Sequence, residues 1–371
     1  MKIFDNPHDN QHEYLAFCND RDSGLRAIIA IHNTTLGPAV GGCRMFNYAT
    51  EQDAIDDALQ LSEAMTYKAA MANLPYGGGK SIIIGDPSCD KSTAKFHAMG
   101  DFIERLQGAY ISAEDAGTNG HDLTLIRQRT GYVFGVRPDP LGFGGYRKAN
   151  PSPATAYGVY LGIKQALQEQ RGSDSLSGIR VAIQGVGNVG YALCKLLHTD
   201  GARLWASDTN PKQLQRASLG FGAMAVDNEE IHRLDVDVFA PCAMGQSLNH
   251  HTAPQLLARI VAGSANNQCS HIEIAERLHQ RGVLLCPDFV INAGGLIDLA
   301  HDFDGRRHDF SLSLQRIPDN LAEIFTAAKQ QNLSPVIIAQ NLALQRLQSI
   351  PSSHFTHHLN SLRGSAMSYL P

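Results

Sequence analysis

Two lysines, Lys68 and Lys80, stand on either side of a Pro- and Gly-rich turn in residues 65–86, MTYKAAMANLPYGGGKSIIIGD. Two ammonium groups so spaced suit two tasks of one active site: one lysine holds an anionic group of a substrate, and the other, kept neutral, removes a proton. A lysine base working near neutral pH needs a pKa of about 7 to 8, roughly three units below the free side chain, a shift of ~4 kcal/mol. Burial and a neighbouring positive charge both act in that direction, whereas a nearby carboxylate opposes them but supplies a proton acceptor. The residues alone leave a plainer reading open, two solvated lysines beside a structural turn, because lysine is mostly exposed. A nucleotide-triphosphate P-loop is excluded. Gly79-Lys80-Ser81 has its ending, but the motif needs a glycine where Leu74 stands and strand-loop-helix order, against helix-loop-strand here.

The elements that must position these lysines are legible in part. A helix is predicted from Thr50, where residues 50–53 have the form of a capping box and Ala54, Ile55, Ala58, Leu61 and Met65 recur at helical spacing. Lys68 falls near its end. Lys80 opens the apolar run Ile82-Ile83-Ile84, which reads as a buried strand, and Gly77, Gly78 and Gly79 leave the backbone open to close approach by a small ligand. A helix over about 92–106 and a strand over 109–112 lead into Asp115, and a carboxylate just past a strand end is well placed to face a cleft. Upstream, residues 13–19 and 25–32 read as a strand pair, and 36–42 as a loop.

Between 135 and 153 the composition turns to Gly and Pro without apolar periodicity, the best candidate for a domain boundary. Beyond it, a strand at 179–184 runs into Gly185-Val186-Gly187-Asn188-Val189-Gly190, and helical spacing follows. That order is the dinucleotide-binding fingerprint: Gly185 permits the tight turn, Gly187 lets the backbone meet a pyrophosphate, and Gly190 lets helix and strand pack closely. The next strand ends at Asp208, close to the expected ~20 residues beyond the glycines. Its carboxylate accepts hydrogen bonds from a ribose and repels a 2'-phosphate, which favours NAD over NADP; nearby Lys212 and Arg216 soften that repulsion. Strands at 236–240, 259–262 and 283–285 continue a doubly wound parallel sheet. Asn266, Asn267 and Asn292 fall where ligands collect at strand ends, or are ordinary loop residues.

At 371 residues the chain suffices for two domains with their own cores. A formal net charge of -5 argues against a nucleic-acid binder, and no apolar run approaches a membrane span, so a small-molecule partner is expected. The start lacks a signal-peptide pattern, and the expected compartment is the cytoplasm. Seven scattered cysteines and sixteen histidines show no metal-ligand spacing, so the cysteines read as reduced and no metal is expected.

The segments LGPAVGGCRM, MTYKAAMANLPYGGGKSIIIGDP, ISAEDAGTN, VAIQGVGNVG, APCA, AGSANNQ and PDFVINAGGLI, in this order, resemble the amino-acid dehydrogenase family of glutamate, leucine, phenylalanine and valine dehydrogenases. The resemblance implies an α/β protein of two domains, an N-terminal catalytic domain over 1–140, rejoined by C-terminal helices over about 331–371, and a doubly wound Rossmann domain over 141–330. It implies reversible oxidative deamination of an L-amino acid to a 2-oxo acid and ammonia, with NAD, in a homo-oligomer. By motif, Lys80 is the general base, Asp115 relays protons and Lys68 binds the substrate carboxylate. Val40, Gly41, Ala113, Asn267, Ile291 and Leu296 line the substrate, and Thr155, the 185–190 turn, Asp208, Ala240, Asn266 and Asn292 hold the cofactor. Glutamate dehydrogenases of the family carry a lysine where this chain has Val40, so a nonpolar, leucine-like substrate is expected, with phenylalanine or tryptophan as the alternative. Two readings from other classes are a 2-hydroxy-acid dehydrogenase, expected to use a catalytic His and a carboxylate-binding Arg, and a catalytically silent NAD sensor.

Overall fold

Residues 12–138, 146–243 and 245–349 are described in the computed structural model of the chain, which divides into two units. The first takes in the chain up to Asn150, Asp302–Gly305 and the residues from Ala343 on; the second takes in Pro151–His301 and Arg306–Leu342. The boundary expected at 140/141 lies outside the described residues. The return to the first unit starts at 343, against the expected 331, and the excursion at 302–305 has no counterpart in the sequence reading.

The first unit contains β1 (Tyr14–Asp20), β2 (Leu25–Asn33), β3 (Ala39–Phe46), α1 (Glu51–Met71), β4 (Gly77–Ile84), α2 (Thr93–Glu104), β5 (Tyr110–Glu114) and α3 (Gly120–Arg127). The five strands form one sheet in the order β1-β2-β4-β3-β5, with β3 parallel to both β4 and β5. Both faces are covered, and the strand period of two decides which side chain meets which helix. Ile28, Ala30 and Ile82 pack on Ala54, Ile55, Ala58 and Leu59 of α1. On the other face Ile29, Met45 and Ile83 pack with Phe96, Met99 and Ile103 of α2 and with Ile126 of α3. Lys80, two residues before Ile82, and Arg44, one before Met45, therefore fall on the α1 side. The helix starts as predicted: the Thr50 hydroxyl accepts from Asp53 N and the Asp53 carboxylate from Thr50 N.

Two expectations fail here for one reason. Residues 39–42 are not loop but the start of β3, and Gly77, Gly78 and Gly79 are not open to a ligand but are buried at the start of β4. A Cβ would lie 1.9 Å from Asn33 O if placed on Gly77, 2.1 Å from Thr66 N on Gly78, and 1.7 Å from Gly79 O on Gly41. The missing side chains let the chain's own backbone close in. Within the Gly- and Pro-rich stretch read as a boundary, β6 (Val136–Pro138) and β7 (Tyr146–Lys148) pair antiparallel.

The second unit runs α4 (Ser152–Arg171), β8 (Arg180–Gln184), α5 (Asn188–Thr199), β9 (Arg203–Ser207), α6 (Pro211–Phe221), β10 (Met224–Ala225), β11 (Val238–Pro241), β12 (Ile260–Val261), α7 (Ile272–Gln280), β13 (Leu284–Leu285) and α8 (Asp288–Ile291). Then follow α9 (Gly294–Asp304), α10 (Phe310–Gln331) and α11 (Pro335–Gln348), of which α9 and α11 end in the first unit. The six strands are all parallel in the order β10-β9-β8-β11-β12-β13, the doubly wound dinucleotide-binding arrangement. Among the described residues no helix is long and apolar enough to cross a membrane.

A buried histidine makes the first unit sensitive to acid. His32 on β2 is 3% exposed, its Nδ1 lies 2.8 Å from Thr66 Oγ1, and its ring meets that of His12 edge-on at 4.8 Å. Desolvation, and then the charge of His12, push its pKa from 6.5 to about 4. Between those values the unfolded chain binds a proton that the folded chain does not, so stability falls as pH drops from 6.5 to 4, by about 3 kcal/mol for the whole shift. A His32→Gln variant should lose less Tm than the wild type between pH 7 and pH 4; equal losses would exclude His32 as the cause.

Candidate active site

Lys80 and Asp115, 35 positions apart, meet because β3 pairs with both of their strands, Val40 opposite Gly78 and Gly42 opposite Ala113. Lys80 Nζ lies 2.5 Å from Asp115 Oδ2, with the lysine side chain 6% exposed and the aspartate 20%. Asp115 follows β5, its backbone N donating to Thr118 Oγ1 at 3.1 Å while that hydroxyl donates to Cys43 O at 2.7 Å. Burial alone raises the Asp115 pKa, but the charges of Lys80 and Arg44 outweigh it and hold the carboxyl at about 2. It is ionised at every working pH. A buried lysine in contact with a fixed carboxylate can take up a proton and pass it on, the geometry of general acid–base catalysis.

The other expected residues of this unit lie on α1, β3 and β5. Lys68 is half-buried in the last turn of α1, two residues after Thr66, which packs on Gly78. Val40 and Gly41 are buried on β3, and Ala113 is 7% exposed on β5. Val40 shares a strand face with Gly42 and Arg44, the α1 side.

In the second unit the glycine turn has the geometry its spacing predicts. Gly185 has φ +91, and a Cβ there would lie 2.7 Å from Ala243 N; a Cβ on Gly190 would lie 2.0 Å from Gly185 O. Gly187 is the N-cap of α5 with no side-chain cap bond, and a Cβ there would meet nothing within 4 Å. That open space beside free helix amides, with Asn188 and Val189 in the first turn, fits a diphosphate. Asp208, just after β9, accepts from Val186 N and from Asn210 N, each at 2.8 Å, so it braces the turn. Asn292 donates to Asn266 Oδ1 at 2.8 Å and to Ser264 O at 3.1 Å, and its own Oδ1 is buried without a partner. An orphaned acceptor of this kind fits the amide of a nicotinamide. Thr155 donates to Pro151 O at 3.1 Å on α4, and Ala240 is buried in β11. Asn267 is exposed in the left-handed region with its N donating to the Asp288 carboxylate; Ile291 and Leu296 are buried, Ile291 against Gly162 of α4.

Comparison with known proteins settles the family. The pattern of "Glu/Leu/Phe/Val dehydrogenase, dimerisation domain" matches residues 12–132, and that of "Glutamate/Leucine/Phenylalanine/Valine dehydrogenase" matches 144–211 and 208–341. The chain belongs to this dehydrogenase family. Leucine dehydrogenase of Geobacillus stearothermophilus is 46% identical to it over 98% of this chain and 99% of its own length. Phenylalanine dehydrogenase of Lysinibacillus sphaericus is 43% identical over 85% and 84%. The crystal structure of L-tryptophan dehydrogenase from Nostoc punctiforme superposes with a TM-score of 0.77 at 41% identity, covering 91% of this chain and 96% of that one. Membership makes the protein an amino-acid dehydrogenase that uses NAD or NADP, and it removes the hydroxy-acid dehydrogenase and the silent sensor.

Within this dehydrogenase the sequence reading gave no role to Arg44, which touches the pair, or to Asp57 and Tyr48, which hold Arg44 in turn. Arg44 Nε lies 3.0 Å from Asp115 Oδ2, on the same oxygen as Lys80, and its Nη1 reaches both oxygens of Asp57 at 2.9 and 3.2 Å. The Tyr48 hydroxyl donates to Asp57. The available signal was the spacing of Val40, Gly42 and Arg44, which puts the arginine on the face that carries the site.

Proposed function

We propose that this dehydrogenase carries out the reversible, NAD-dependent oxidative deamination of a branched-chain, leucine-like L-amino acid, giving the 2-oxo acid and ammonia. The observation that carries this reading is the buried contact between Lys80 and Asp115, a proton-transfer pair on a rigid sheet. In this reading Lys68 binds the substrate carboxylate as a point charge, and Val40, Gly41 and Ala113 face the substrate. Lys80 takes the proton of the substrate amine as the carbon–nitrogen bond becomes an imine. It then takes a proton from the water that attacks the imine, and Asp115 accepts protons from Lys80. Bound nicotinamide supplies the acceptor for the hydride that leaves the substrate's alpha carbon. Incubation with L-leucine and NAD should produce NADH and ammonia in equal amounts; no turnover of any branched-chain amino acid with either dinucleotide would sink the proposal. A second reading, phenylalanine or tryptophan as substrate, is favoured by the identity to phenylalanine and tryptophan dehydrogenases.

NAD is preferred to NADP in this reading because Asp208 faces the position of a 2'-phosphate with a like charge. Arg216, which could have offset it, is engaged elsewhere, its guanidinium 3.7 Å over the Tyr191 ring. The ratio of kcat/KM with NAD to that with NADP should fall at least ~10-fold in Asp208→Ala, about 1.4 kcal/mol of lost discrimination. KM for NAD should rise as well, because the bond to Val186 N goes with the carboxylate. An unchanged ratio would assign Asp208 to bracing alone.

The reading extends to a cytoplasmic homo-oligomer. Its support is a family description that speaks of dimerisation for residues 12–132, and seven cysteines that are all unpaired, as a reducing compartment keeps them.

A further inference from the structure

Arg44 sits where two demands on Asp115 meet. The carboxylate must be ionised to accept a proton from Lys80, yet once Lys80 has lost its proton the nearest cation is gone. Arg44 Nε holds the same Oδ2 at 3.0 Å, and arginine stays charged at every working pH. Burial opposes the Arg44 charge, but Asp115 and Asp57 outweigh it, and the guanidinium holds its proton more tightly than usual. Its second arm is clamped by both oxygens of Asp57, which in turn accepts the Tyr48 hydroxyl. The arginine is thus fixed between α1 and the end of β5, half of its fork on each carboxylate.

We propose that Arg44, anchored by Asp57, is a positioning residue for the proton-transfer pair: it fixes the Asp115 carboxylate and shares its charge, so that Lys80 does not face an uncompensated anion. The proposal rests on the reading of Lys80 as the base. Among the described residues, the ionisable groups around the cluster are Cys43 on β3, Tyr48 after it, Asp57 on α1, Tyr110 and Glu114 on β5, and Asp122 on α3 with its partner Lys91; Lys148 on β7 acts on Glu114 as well. Burial raises the Cys43 thiol to about 12 and keeps the Tyr48 phenol protonated, so neither changes charge near neutrality. The Glu114 carboxyl is raised by burial and then by Asp122, while Lys148 and Lys91 act against that rise.

A lysine beside a lone carboxylate holds its proton to higher pH, so removing the arginine charge moves the acidic limb of kcat/KM upward. The test is the pH profile of leucine oxidation in the intact enzyme with NAD. Arg44→Met should lower kcat about 10- to 100-fold through lost positioning and should raise the limb by about one pH unit. Its Kd for NADH, read by fluorescence, should be unchanged, since the dinucleotide residues belong to the other unit. Arg44→Lys, which keeps the charge, should return the limb to its wild-type position. Asp57→Asn removes a negative charge from the same chain and should move the limb the opposite way. A residue that merely supported the fold would impair these variants in one direction without moving the limb. An unmoved limb in Arg44→Met, or one that Arg44→Lys does not restore, overturns the proposal. Should Arg44→Met fail to fold, an unmoved or upward-moved limb in Asp57→Asn overturns it as well. Lys80→Ala measured alongside separates the two ideas: if it turns over normally the base reading has failed, and if it is inactive while the Arg44 limb stays fixed, only the role of Arg44 has failed.

Discussion

Lys80→Ala is expected to lower kcat for leucine oxidation by at least ~100-fold, the contribution of a positioned general base. The Kd for NADH should stay within about twofold of wild type, because a base in one unit contributes nothing to the dinucleotide turn in the other. The variant should fold. Asp115 keeps Arg44 on the oxygen that Lys80 vacates, so the substitution leaves no unpaired buried charge, the usual cause of collapse when one member of an ion pair is deleted. Lys68→Ala should behave differently and act chiefly on KM, since an ionic partner of the substrate carboxylate contributes to ground-state and transition-state binding alike. If Lys80→Ala keeps more than about a tenth of the wild-type kcat, the proton must go elsewhere, and Asp115 becomes the group to test.

What the sequence disclosed depended on how local each feature is. The dinucleotide turn needs only residues 180–208, and its strand, glycines, helix and terminal carboxylate are all in one supersecondary unit; the strand, the tight turn at Gly185, the close packing at Gly190 and the helix are found where the spacing puts them. The first unit is assembled from distant pieces. That Lys80 touches Asp115 follows from β3 lying between β4 and β5, and nothing in the order of the segments dictates β1-β2-β4-β3-β5. Glycines misled for a related reason. The absence of a side chain at Gly41 or Gly78 announces a close approach but not the identity of what approaches, and here it is the carbonyl of Gly79 and the backbone of Thr66. Gly37-Pro38 and the paired Gly41-Gly42 read as a loop by composition, while pairing to two neighbours makes 39–42 a strand. Arg44 went unassigned because a charged residue two positions after paired glycines has no local meaning until Asp57 and Asp115 are brought to it.

L-Glutamate is expected to be oxidised with a kcat/KM at least ~100-fold below that for L-leucine, a difference of about 3 kcal/mol in transition-state binding. The physical cause is an anion without a partner. Val40 is buried on the β3 face that carries Arg44, and in the resembling glutamate dehydrogenases a lysine takes its place. Among the described residues, the cations of this face are committed, Arg44 to Asp57 and Asp115 and Lys80 to Asp115, and the proposed mechanism assigns Lys68 to the substrate's own carboxylate. Taking a second carboxylate out of water with no counter-charge costs several kcal/mol, more than a side chain of that size regains by burial. A panel of L-amino acids with NAD reads the result directly. Glutamate within about tenfold of leucine would mean that an unassigned cation reaches the pocket, and the aliphatic assignment would fall. Phenylalanine or tryptophan above leucine would instead leave the exclusion of anions standing and move the substrate to an aromatic one, with Ala113, whose small side chain leaves room on β5, the first position to substitute.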